Sequence, residues 1–110
     1  MMEVLFTEAA YKYISGYLNI EGALLILFYD TEGCGCAVNG VPVLLVTSKN
    51  NIETHEQIKT NGIPLYMYKK HTVFFDDELK VDFLNGKLKL SSKNQVFAHK
   101  MTIKKLENHV

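Results

Sequence analysis

One stretch of the chain repeats its apolar residues at helical spacing, and nearly all the rest alternates or clusters in short runs. Ala10, Tyr13, Ile14, Tyr17 and Leu18 recur at i, i+3, i+4, i+7 and i+8. This predicts an amphipathic helix from about Glu8 to Leu18. Thr7 stands where an N-cap belongs, and Glu8 puts a negative charge in the first turn. Before the helix, Val4-Leu5-Phe6 reads as a short strand. After it, Ala23 to Tyr29 is continuously apolar and reads as a strand buried on both faces. Val41 to Val46 is a second such run, with Pro42 near its start, where a missing N–H does least harm. Ile52 to Lys59 is mostly polar and predicts an exposed edge strand. Asn61-Gly62 signals a hairpin turn before a strand from Ile63 to Tyr68.

Further along, Thr72 to Phe75 is apolar, and Asp76-Asp77-Glu78 marks a turn. Leu79, Val81 and Phe83 alternate with Lys80 and Asp82. Leu88 and Leu90 alternate with Lys87 and Lys89, beyond a second hairpin signal at Asn85-Gly86. This is the pattern of an antiparallel pair with one face in the core and one in water. Val96-Phe97, extended through Met101 and Ile103, forms a last strand. The expected fold is mainly β: a compact antiparallel sandwich or barrel of seven or eight short strands, with the N-terminal helix packed outside. Leu25, Leu27, Leu44, Val46, Phe83 and Leu88 are its expected core.

A length of 110 residues fits a single domain spanning 1–110, large enough to bury roughly two thirds of its unfolded surface. The net charge is zero, and all 12 cations are Lys. Without a strong field or the bidentate guanidinium of Arg, nucleic acid is not an expected partner. The charge is uneven: one Lys against five acids over 1–48, and seven Lys against two acids over 80–110. Two readings fit this asymmetry: an acidic and a basic part that steer a charged partner, or Lys protecting exposed strand edges near the C-terminus. The longest apolar run, Ala23 to Tyr29, has seven residues, against about 20 for a membrane span. No cationic segment followed by an apolar run opens the chain, so a cytoplasmic protein with free thiols and no membrane partner is expected.

The strongest chemical feature is Cys34-Gly35-Cys36. Thiolates are soft ligands that select zinc, Cu(I) or iron–sulfur centres. Residues two apart in an extended segment point to the same side, so both sulfurs can lean toward one ion. A disulfide within the pair lies at the limit of Cα separation and is strained. Two thiolates do not complete a tetrahedral site, and the sequence holds no third Cys. Of the four His, His109 falls in the tail and His55 in a polar stretch, which leaves His71 and His99. Neither has a spacing that ties it to the pair. A two-fold dimer would bring four sulfurs together. Against this stands simple packing, since Cys is also a small buried hydrophobe. Asp76-Asp77-Glu78 lacks the oxygen-ligand spacing of a calcium loop. No nucleophile elbow, P-loop or dinucleotide fingerprint occurs.

In order and spacing these residues resemble the HesB/IscA/SufA-type iron–sulfur biogenesis domain, in its short, Gram-positive-type HesB-like branch. The likeness is carried by Val4-Leu5-Phe6-Thr7-Glu8-Ala9-Ala10 and by Thr31-Glu32-Gly33-Cys34-Gly35-Cys36 after the strand Ala23 to Tyr29. Phe74-Phe75-Asp76 and Val81-Asp82-Phe83 add to it. Cys34 takes the place of the family's first cysteine. The family's second Cys-Gly-Cys has no counterpart; that region reads Val96-Phe97-Ala98-His99-Lys100-Met101. The resemblance implies a non-enzymatic protein that binds and delivers iron or an iron–sulfur cluster. Cys34 and Cys36 would be its ligands, and an iron–sulfur scaffold or apo-protein client its partner, with a homodimer possible. The alternative is a binding or regulatory module of the same fold, using the pair for zinc or thiol redox sensing.

Overall fold

The structure, a computed structural model, describes residues 2–19, 22–30, 40–48 and 55–105. Eight strands and one α-helix follow in the order β1 (Glu3–Phe6), α1 (Glu8–Ser15), β2 (Ala23–Asp30), β3 (Val41–Ser48), β4 (His55–Thr60), β5 (Leu65–Tyr68), β6 (Glu78–Leu84), β7 (Lys87–Ser91) and β8 (Val96–Lys105). A 3-10 turn, Lys69–Phe74, stands between β5 and β6. The strands close into a barrel in the order β1-β4-β5-β2-β3-β8-β7-β6. The mainly β class and the N-terminal helix are those the hydrophobic pattern implies.

The pairing is mixed rather than antiparallel throughout. The joins β2–β3, β4–β5, β6–β7 and β7–β8 are antiparallel. The joins β1–β4, β1–β6, β2–β5 and β3–β8 are parallel. The reason is connection length. Strands adjacent in sequence fold back on short turns, whereas closing the ring brings together strands far apart in the chain, and these run in the same direction. The predicted turn at Asn85-Gly86 joins β6 to β7, with φ of 53° and 76° at its two residues, the positive pair that a tight hairpin demands. The stretch expected as an edge strand is β4, which pairs with β5 on one side and, at Lys59 and Thr60, with β1 on the other; residues 52–54 lie outside the described set. Thr72 and Phe74 belong to the 3-10 turn rather than to a strand.

The barrel interior is filled by Val4, Leu25, Leu27, Leu44, Leu65, Met67, Val81 and Leu90, each no more than 1% exposed. Five of the six expected core residues are buried; Phe83 is half-buried and stacks on Tyr13 with ring centroids 4.1 Å apart. The helix is shorter than its periodicity suggests. It ends at Ser15, and Tyr17 and Leu18 continue as a turn whose N–H groups donate to the carbonyls of Ile14 and Ser15. It packs on the outside of the barrel through one face only, with Glu8, Tyr11 and Lys12 exposed. Ala10 and Ile14 are fully buried in the barrel's own core cluster. Its ring contact with Phe83, near the end of β6, places α1 across one end of the barrel.

Thr7 fixes that placement. Its hydroxyl oxygen accepts from the Ala10 N–H at 3.2 Å and donates to Asp82 Oδ1 at 2.9 Å, so one side chain caps the helix and ties it to β6. The Thr7 hydroxyl and then the Phe83 N–H hold the Asp82 carboxyl below the usual carboxylate range. Asn61 performs a similar service for β1: its amide accepts from the Phe6 N–H and donates to the Phe6 carbonyl, both at 2.9 Å, extending the β4–β1 join by a side chain. No helix among the described residues is long and apolar enough to cross a membrane. Thr7→Ala is expected to lower stability by about 1 kcal/mol through loss of the cap. Urea denaturation at neutral pH measures this, and an unchanged midpoint would remove Thr7 from the account.

Candidate functional site

The barrel end opposite α1 collects the groups that carry chemistry. Strand direction decides which residues arrive there. β2 ends at Asp30 and β3 begins at Val41, and these two residues pair. β5 runs parallel to β2 and delivers its C-terminus, Tyr68, to the same end. β4 runs antiparallel to β5 and places His55 beside Tyr68. β8 runs parallel to β3, so its N-terminal half, with exposed His99, belongs to this end as well. The 3-10 turn then carries His71 over the end of β2.

Tyr29 is the hub. Its phenol oxygen accepts from the Gly40 N–H at 3.0 Å, and its own N–H donates to His71 Nδ1 at 3.3 Å. Its ring stacks on Phe74 with centroids 4.1 Å apart and meets Phe75 edge-on at 5.8 Å. One residue thus fixes both ends of the segment 31–39: it directly precedes Asp30 and it covers Gly40. The requirement for glycine at 40 is one of space. A Cβ there would lie 2.7 Å from Cδ2 and Cζ of the Tyr29 ring.

His71 is buried, 7% exposed, and acts as the end of the ladder. β5 has ended by this level, and the imidazole accepts the Tyr29 N–H in place of a strand carbonyl. Accepting at Nδ1 requires that nitrogen to be unprotonated, so the neutral ring carries its proton at Nε2. Burial first, then the Lys70 ammonium, then His55, push the His71 pKa below the ordinary histidine value. His55 stacks on Tyr68 with centroids 3.9 Å apart, and burial lowers its pKa also. Its Nδ1 is buried without a hydrogen-bond partner among the described residues.

The sequence-predicted ligands Cys34 and Cys36 lie outside the described residues, within the segment whose two ends are Asp30 and Gly40. Of the histidines, His71 is brought to this end of the barrel, but with its Nδ1 engaged. His55, set aside in the sequence as part of a polar stretch, is instead packed against Tyr68 at the same end. Its signal was the register of the β4–β5 hairpin, which sets His55 opposite Tyr68. Among the described residues, no group of three His, Cys, Asp or Glu side chains converges to hold a metal ion.

Two outcomes follow. Gly40→Ala is expected to push the Tyr29 ring off its stack and cost about 1–3 kcal/mol in chemical denaturation; a loss near zero would show that the ring does not need Gly40. The His55 and His71 pKa values are depressed in the folded state. Their contribution to stability is therefore full above the unfolded value of about 6.5 and declines as the pH falls from there through the folded values. The melting temperature should drop between pH 7 and pH 5, and drop less in His71→Gln. An equal drop in both proteins would assign the effect elsewhere.

The chain has relatives on three counts. A family model described as iron–sulphur cluster biosynthesis matches residues 2–105. The uncharacterized protein YqkB of Bacillus subtilis (strain 168) is 38% identical over 106 residues, covering 93% of this chain and 97% of its own. Two crystal structures share the fold, both of proteins provisionally described as Fe-S biosynthesis proteins. The Lactobacillus salivarius protein superposes with a TM-score of 0.80 at 23% identity, over 94% of this chain and 98% of its own. The Lactobacillus acidophilus protein does so with a TM-score of 0.76 at 19% identity, over 94% and 90%. With Thr7, Tyr29 and the paired ends of β2 and β3 all inside the matched span, this chain belongs to the iron–sulphur cluster biosynthesis family.

Proposed function

We propose that the protein is a carrier: it binds iron or an iron–sulfur cluster as cargo through Cys34 and Cys36 and passes it to a scaffold or apo-protein client, without catalysing a reaction of its own. The observation that supports this most is the match to the biosynthesis family over residues 2–105, which spans both cysteines. The chemistry of the donors agrees with it. Two thiolates separated by one glycine are soft ligands of the kind iron–sulfur centres use. Cys34 is four residues from Asp30 and Cys36 four from Gly40. Both are therefore tethered to a base that Tyr29, His71 and Phe74 hold rigidly.

Ligand count favours sharing between two chains. One chain supplies two sulfurs, and His71 is not a ready third ligand while its Nδ1 accepts from Tyr29 and its proton sits on Nε2. A second copy would bring the sulfur count to four, which is a closed set for a [2Fe–2S] cluster. Released cargo needs an accessible site, and this end of the barrel is the one that α1 leaves uncovered. In this reading the protein works in the cytoplasm, where thiols stay reduced.

Anaerobic reconstitution with iron and sulfide tests the proposal. Wild type is expected to develop visible absorption and shift to a dimer, while Cys34→Ala and Cys36→Ala each lose both. Equal, low uptake by all three proteins would overturn it. Zinc retained through both thiols with no cluster formed would favour a zinc-binding module on the same fold.

A further inference from the structure

The lysines from Lys80 to Lys104 fall on strands that have no edge to protect. β6 pairs with β1 and β7, β7 with β6 and β8, and β8 with β7 and β3. The ring is closed, and closure itself removes the unpaired N–H and C=O groups that an edge lysine guards. Of the two readings of the charge asymmetry, edge protection therefore does not hold for these strands.

Alternation decides where the charges go. Leu79, Val81, Leu88, Leu90 and Met101 are buried in the core. Lys80, Lys87, Lys89 and Lys100 each adjoin one of these in sequence, and Lys104 follows Ile103, which packs on the core, so all of them project from the outer face. Leu88 pairs with Met101, which sets Lys87 beside Thr102, midway between Lys100 and Lys104. At about 3.3 Å per residue, those two are ~13 Å apart along β8. Lys89 pairs with Asp82, whose carboxylate already accepts from Thr7 and Phe83. Lys80 stands between Asp82 and Glu78, and Glu78 pairs with Glu3 at the β1 border. Lys93 lies with Asp76 and Asp77 near the β7–β8 turn. Lys87 and Lys104 pair instead with Leu84 and Leu45. None of the outward lysines makes an ion pair among the described residues.

From this arrangement we propose that the outer face of β6, β7 and β8 docks an acidic segment of a protein partner, with Lys87, Lys100 and Lys104 as its main contacts. The chain is neutral as a whole, so the attraction is local to this face. Protein carboxylates fit it better than other polyanions. The face has no Arg for bidentate phosphate contacts. Phe83 and Phe97, the aromatic residues of these strands, pack against the core and offer no platform for a base. The exposed large apolar side chains here, Leu84 and Val96, lie at opposite ends of the barrel and form no patch that would enter a membrane. The Thr102 hydroxyl adds a hydrogen-bonding group among the ammonium groups. Val43 pairs with Thr102, so Lys100 stands about level with Val41, the residue after Gly40. A docked partner would thus reach the barrel end where Asp30 and Gly40 hold the cysteine segment. The inference stands apart from the carrier reading; within that reading the docked partner is the recipient.

The test uses the full chain under reducing conditions at low ionic strength, both as wild type and as a Cys34→Ser/Cys36→Ser variant, so that failure of metal binding leaves the face testable. The probe is the capped peptide acetyl-Asp-Glu-Asp-Glu-Asp-Glu-amide, followed by backbone amide NMR shifts up to roughly 5 mM peptide. Saturable shifts are expected at Lys87, Lys100, Thr102 and Lys104, equal in both proteins and lost in about 0.5 M NaCl. Lys87→Gln/Lys100→Gln/Lys104→Gln should bind at least about fivefold more weakly. Lys12→Gln/Lys59→Gln/Lys69→Gln changes the net charge equally and should stay within about twofold of wild type. Shifts spread alike over all the lysines, or equal weakening in the two triple variants, would overturn the proposal. So would tighter binding of an oligothymidylate of matched charge or of phosphatidylglycerol vesicles, or a face already covered by a second copy at NMR concentration.

Discussion

The whole structure depends on four residues of β1. Glu3–Phe6 is the one element that bridges β4 and β6, and it does so by parallel pairing on both sides. Without it the other strands would form an open sheet with two raw edges, and the core they enclose would face water along the gap. A strand this short makes few ladder bonds, so the fold reinforces it at both ends. The Glu3 N–H donates to the Asp77 carbonyl at 2.7 Å, and the Thr7 N–H to the Val81 carbonyl at 3.0 Å. The Asn61 amide holds Phe6 from the other side. Val4 and Phe6 then sit fully inside, where apolar burial of each side chain contributes about 1.5–3 kcal/mol. Closure and core are one event.

The barrel ends are built for different purposes. One is sealed by α1, whose Ala10 and Ile14 complete the core, with Thr7 and Asp82 as the clasp. The other is held by aromatic and imidazole contacts around Tyr29, which reach to Gly40 at the start of β3 and, beyond the end of β5, to His71. The Glu8–Lys12 pair on α1 is highly exposed at both partners and contributes little. Rigidity at the second end matters for the proposed carrier role, because a ligand segment presents its thiols to a partner only as reliably as its base is fixed.

Much of this was legible in the sequence where the signal is local. Thr7 before an amphipathic run, Asn85-Gly86 between alternating strands, and the unbroken apolar runs around Leu27 and Leu44 each state their structure within a few residues. What depends on contacts between distant segments was not. The parallel joins and the seating of α1 across one end of the barrel, with Ala10 and Ile14 in its core cluster, follow from which segments become neighbours. Hydrophobic period carries no information about that. The 3-10 turn at Lys69–Phe74 was hidden because an apolar run of four residues fits either a strand or a tight turn. At the candidate site, the sequence offered the cysteine pair as ligands by its chemistry, a pair outside the described residues, and kept His71 and His99 as candidates without tying either to it. It gave no hint that Tyr29 joins the two ends of that segment, since a tyrosine closing an apolar run reads as ordinary core.

The parallel partnership of β1 with β6 also sets a schedule for biosynthesis. Thr7 and Asp82 are 75 residues apart in the chain. During translation at about 5–20 residues per second, the N-terminal strand waits several seconds before its second neighbour exists. Throughout that interval Val4 and Phe6 have no barrel to enter, and the nascent chain carries an unpaired apolar strand at its front. The hairpins β2–β3 and β4–β5 are complete long before, so they are positioned to form first, with ring closure as a late step of high sequence separation. The segment bearing Cys34 and Cys36 therefore emerges, and the β2 and β3 strands that flank it are ready to pair, while the strands that close the barrel are still unmade.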